Sequence, residues 1–148
     1  MLAELVPVRN RWEETQAALL DCLSGIPDEQ FLWKPAPQAT SASEIVTHIA
    51  RAEIGYALLV LQHPREQRPD FTVTNRASAL GAMETAAGWA VRAMDEVTEL
   101  DRVVTQEWYP LGPRVEGPLT ALWFIEQMIR HKAYHLGQLW YLRMLLEE

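Results

Sequence analysis

The chain has 148 residues, 49% of them hydrophobic and 22% charged, and a net charge of −7. That length suits one domain, residues 1–148, built around one core, and the composition is that of a globular chain and not a disordered one. The acidic balance, without any run of Lys and Arg, argues against nucleic-acid and anionic-membrane partners, and no stretch approaches the roughly 20 apolar residues that span a bilayer.

Apolar residues recur at helical spacing in four stretches, and none alternates with a period of two, so an all-α fold is expected. The first covers residues 3–24, with Leu5, Val8, Trp12, Leu19 and Leu23 on one stripe and Gly25 and Pro27 as its stop. Its opening, "MLAELVPVRNRWEE", has an early acid and a proline where a signal peptide carries basic residues, which points to the cytoplasm. The single cysteine, Cys22, lies among Leu19, Leu20 and Leu23 and reads as a small core residue.

The second stretch opens at "SASE", where Ser41 can cap the helix and Glu44 can reach back to the Ser41 amide, and it should end before Pro64. The third spans residues 74–101, with Thr74 as the candidate cap and Leu80, Met83, Ala87, Ala90, Met94 and Val97 facing inward. The segment "TQEWYPLGPRVEGP" has three prolines and two glycines, so an irregular connection over one end of the molecule is expected there. The fourth helix should start at Pro118 and run to the C-terminus. Four such helices point to a four-helix bundle, with residues 25–40 and 63–73 as long crossover loops.

The fourth stretch carries "RHKAYHLGQL". At about 100° per residue, His131 and His135 lie about 40° apart and about 6 Å along the axis, so both imidazoles can converge on one point. Phe124, Met128, Leu139, Leu142 and Leu146 fall near His131 on the same wheel, which puts the pair on a core-facing stripe. Two imidazoles make a weak site, since open zinc-type centres take three protein ligands. His48 is the best third candidate, because Ile45, Ala52, Gly55 and Leu59 share its face and point it inward. His63 is roughly 22 Å further along that helix and cannot join.

The stretch "FLWKPAPQATSASEIVTHIARAE", followed late in the chain by "HKAYHLGQL", resembles the DinB-like superfamily, also called YfiT-like metal-dependent hydrolases. The resemblance covers nearly the whole chain. It implies a four-helix bundle of the DinB-like type, often homodimeric, in which His48, His131 and His135 hold a divalent metal, with Zn or Ni first and Fe, Co and Mn also compatible. It further implies a small-molecule substrate, with a low-molecular-weight thiol as one class of co-substrate, and a thiol S-transferase or hydrolase activity. The alternative is a non-catalytic metal- or small-molecule-binding protein of a stress response.

Two further residues are candidates for catalysis. Glu44, about 40° from His48 on the wheel, could serve as a carboxylate near the metal, although its capping role explains it as well; Gln138 could hydrogen-bond a ligand or a metal-bound water. Glu53 lies about 140° from His48 and should face elsewhere. Tyr56, Tyr134, Trp33 and Trp108 are candidates for a pocket mouth. Finally, Leu122, Ile129, Ala133 and Trp140 form a second apolar face on the last helix, opposite His131, which is to be covered either by loop segments of the same chain or, as preferred, by the same helix of a second subunit, giving a homodimer.

Overall fold

In the computed structural model, which describes residues 1–63, 68–104 and 118–147, the sequence forms four long helices. Helix α1, Val6–Ser24, follows a 3-10 turn at Ala3–Leu5 and carries Pro7 in its first turn, where the missing amide hydrogen has no acceptor to lose. It stops at Gly25. The Arg143 guanidinium packs against that glycine, so closely that a Cβ would meet its Cζ at 2.0 Å, and reaches the Asp21 and Cys22 carbonyls.

Helix α2, Ala42–Leu61, starts as expected: Ser41 Oγ accepts from the Glu44 amide at 3.2 Å. It ends on Gln62, which takes the left-handed conformation (φ 61°) and donates its amide to the last turn. Helix α3, Arg76–Glu96, is shorter than the expected 74–101 at both ends. Its cap is Asn75 rather than Thr74, because Asn75 and Ser78 satisfy each other's backbone amides in a reciprocal box that Thr74 has no partner to form. Leu80 is exposed, contrary to the inward position expected for it, and the buried stripe is instead Ala79, Ala82, Met83, Ala86, Ala90, Ala93 and Met94.

Helix α4, Ala121–Leu146, begins three residues later than Pro118. Thr120, just before it, is extended and forms an antiparallel bridge with Val103, and its Oγ1 accepts from the Trp123 amide. Most of the proline-rich connection expected before α4, together with Trp108, lies outside the described residues, as does Pro64.

The helices pack as a bundle in which α2 contacts α3 and α4 most closely, and α1 contacts α4 and, less closely, α3. Thus α1 and α2 are diagonal, and the loop of residues 25–41 crosses over, as expected. The expected second crossover at 63–73 is not needed, because α2 and α3 are neighbours, whereas α3 and α4 are diagonal. Phe31, Ile45, Ile49, Met83, Leu139 and Leu142 belong to the core at one end, and Trp12, Tyr56, Met94, Phe124 and Met128 to the core at the other. Among the described residues no helix is long and apolar enough to cross a membrane.

Candidate metal centre

His48 stands near the middle of α2, and His131 and His135 stand one turn apart on the facing stretch of α4. The three rings meet as a triangle, with centroids 4.7 Å (His48–His131), 4.6 Å (His48–His135) and 4.5 Å (His131–His135) apart. Among the described residues these three form a group whose ligand atoms all lie within 4.8 Å of one another. His63 is not part of it; its ring packs edge-on against Trp89.

The donor set fits a divalent metal. His48 Nε2 and His131 Nε2 are 2.9 Å apart, close to the roughly 3.3 Å between two imidazole nitrogens on a tetrahedral ion at zinc–nitrogen distances, so this pair needs a few tenths of an ångström of opening. His135 Nδ1 lies 2.7 Å from Gln138 Oε1. An amide oxygen only accepts, so Nδ1 carries the proton and Nε2 keeps the lone pair free. That is the arrangement by which a neighbouring acceptor orients a metal-binding imidazole.

Electrostatics favour the same state. Burial pushes the His131 pKa down to about 4, and the neighbouring His135 and His48 push in the same direction. His48 is also lowered, first by burial and then by His135. Neutral imidazoles are the form that binds metal.

Burial corrects one expectation. His48 is exposed and His131 and His135 are half-buried, so the triangle sits at the rim between α2 and α4 and not inside the core. The residue fully enclosed in "HKAYH" is Lys132, 1% exposed. Its Nζ meets Glu53 Oε1 at 2.6 Å and donates to Gln16 Oε1 at 2.7 Å, while the Trp12 indole donates to the same Glu53 oxygen at 2.8 Å. Burial lowers the Lys132 pKa and the Glu53 charge opposes that shift. Glu53 thus faces away from the histidines, as the wheel requires. The sequence reading missed this pair, although the 140° offset of Glu53 and the buried stripe beside Lys132 were both visible.

Glu44 is held by Lys34, whose Nζ lies 2.8 Å from its carboxylate, and this hydrogen bond is the foremost cause of a lowered pKa. Tyr56 is buried, its ring 5.8 Å from His131 and 6.0 Å from Phe124, so it backs the site from the core. Tyr134, 68% exposed, meets His135 edge-on at 5.0 Å on the solvent side. Cys22 is fully buried and its thiol is pushed up to about 11 by desolvation, which leaves it unreactive at neutral pH.

The model of the DinB superfamily matches residues 11–139, a span that includes all three histidines. Among solved structures, a DinB-like protein (YjoA) from Bacillus subtilis superposes with a TM-score of 0.73 at 17% identity, covering 96% of this chain and 92% of that one. A conserved protein from Enterococcus faecalis superposes with a TM-score of 0.76 at 14% identity, covering 98% of each chain. No curated protein matches the sequence.

Proposed function

The chain belongs to the DinB superfamily, and from that premise we propose that it is a cytoplasmic metal-dependent enzyme that activates a small thiol or a water for attack on a small electrophile. The observation that carries this reading is the convergence of three imidazoles from two helices at a solvent-accessible rim, one of them held with its Nδ1 proton on Gln138. A divalent ion held there, Zn or Ni before Fe, Co or Mn, supplies Lewis-acid stabilisation of an anionic nucleophile at neutral pH.

The protein's own groups do the rest. His48, His131 and His135 bind, and Gln138 orients His135. The three imidazoles would bring no negative charge to a bound ion, whose charge would then favour a thiol in its thiolate form. Glu44 keeps its ion pair with Lys34 and its place at the α2 N-terminus in this reading. Among the described residues no carboxylate joins the histidine group, which leaves coordination positions for an exogenous donor.

Cobalt substitution tests this directly. Adding a small thiol should change the visible spectrum of the cobalt-loaded protein, and the His131→Ala variant should show no such change. A wild-type spectrum indifferent to thiols and to other small anions would mean a closed site and would remove the enzyme reading.

A further inference from the structure

Between the connection that precedes α2 and the second half of α4 lies a cleft of about 590 Å³, the size of a small-molecule site. It adjoins the histidines through two shared residues: Gln138, whose Oε1 accepts the His135 proton, and Tyr134, whose ring meets His135. None of the residues that line it carries a charge. Ile45, Leu142 and Leu145 give it apolar walls, and Gln38, Thr40 and Gln138 give it neutral hydrogen-bonding groups. The charges that flank Pro35 and Ile45 in sequence, Lys34 and Glu44, neutralise each other.

Gly137 also lines the cleft. Glycine is unfavourable in a helix interior, and Gly137 lies inside α4 without a positive φ to require it. A Cβ built there meets nothing within 4 Å, so no neighbour in the chain demands a glycine either. What the missing side chain does is leave the cleft open.

We propose that this cleft receives the uncharged, mostly apolar body of the molecule on which the histidine centre acts, with a carbonyl or amide group directed to Gln138 and Thr40; the proposal rests on the reading of that centre as a metal site. A charged body would be desolvated against walls that offer no counter-charge, which is unfavourable. An apolar body with one neutral polar group finds partners for both parts. The specificity of the reaction is thereby set by the α4 face beyond His135, and not by the histidines themselves.

Three probes of one shape separate the possibilities: phenylacetamide, phenylacetate and phenethylamine, titrated by NMR into the chelator-treated full chain, where no ion can coordinate them. Phenylacetamide should shift the Thr40 backbone and Gln138 side-chain amides saturably, at least tenfold more tightly than either ion. Gly137→Leu, which adds a side chain to the cleft lining where a Cβ meets nothing within 4 Å, should abolish these shifts while leaving zinc binding intact. Equal or tighter binding of an ion, no saturable shift, or shifts that follow protein concentration without any probe, as a second copy seated in the cleft would cause, would each overturn the proposal. Zinc binding measured on the same samples stands apart: its failure alongside selective phenylacetamide binding removes the metal reading and leaves the cleft as a site for neutral ligands.

Discussion

Lys132 and His131 are neighbours in sequence with opposite fates, and the roughly 100° turn between adjacent helical residues is the reason. One side chain enters the core and must be paired there. Removing only one member of the Lys132–Glu53 pair would strand a buried charge, at a cost of about 3–5 kcal/mol. The other side chain reaches the rim, where its lowered pKa links folding to pH. An unfolded histidine titrates near 6.5 and folded His131 near 4, so below 6.5 the unfolded state of the metal-free protein binds the proton that the folded state refuses. Its contribution to stability is therefore complete above pH 6.5 and is lost progressively as pH falls towards 4. In the metal-free protein the urea midpoint should fall between pH 7.5 and 5.5, a window above the ordinary carboxylate range, and the fall should be smaller in His131→Phe. Equal falls in both proteins would show that His131 is not held neutral by the fold.

Four helices were legible in the sequence because each carries an apolar stripe long enough to reveal its period, and the histidine triangle was legible because the i, i+4 spacing fixes two of its members. Less legible was the phase of α3. Its buried stripe consists mainly of alanines, which allow close approach to α2 but carry little hydropathy, so the larger Leu80 drew the inward assignment and proved to be exposed. One boundary, the start of α3, was misplaced where two capping residues stand side by side. Ser78 stands three residues after Asn75, the spacing of a capping box, whereas Ala77 stands at that spacing from Thr74 and has no polar side chain, which favours Asn75 as the cap. Asn75→Ala should destabilise the protein by about 1 kcal/mol and Thr74→Ala by less than about half of that, measured as shifts in denaturation midpoint. The reverse order would restore Thr74 as the cap. The rim position of His48 was not legible, because a helical wheel gives a direction but not the distance to the next helix.

At the scale of the whole molecule, the described helices cover one face of α4 and leave part of the other exposed. Leu122 and Ile129 are partly covered by the core around Phe124, whereas Ala133 and Trp140 are exposed, together with Met144. The Arg143 guanidinium sits 4.7 Å from the Trp140 ring centroid and shields only part of it. A second subunit packed about a two-fold axis would cover this face, and we expect a homodimer with Trp140 near its centre. Light scattering at micromolar concentration should then give twice the chain mass of 16.9 kDa for the wild type and the single mass for Trp140→Glu. A monomeric wild type would leave this face to solvent or to another partner.

The central claim is that three histidines from α2 and α4 hold one divalent metal, and metal quantification on untagged, purified protein tests it most directly. About one equivalent of a transition metal per chain is expected in the wild type. His131→Ala and His135→Ala should each lose it while circular dichroism stays helical, His48→Ala should bind much more weakly, and Gln138→Ala should lose about 10–100-fold in affinity through its effect on His135. Full occupancy in the His131→Ala and His135→Ala variants, or a wild type that takes up no metal when supplied with zinc or nickel, would contradict it.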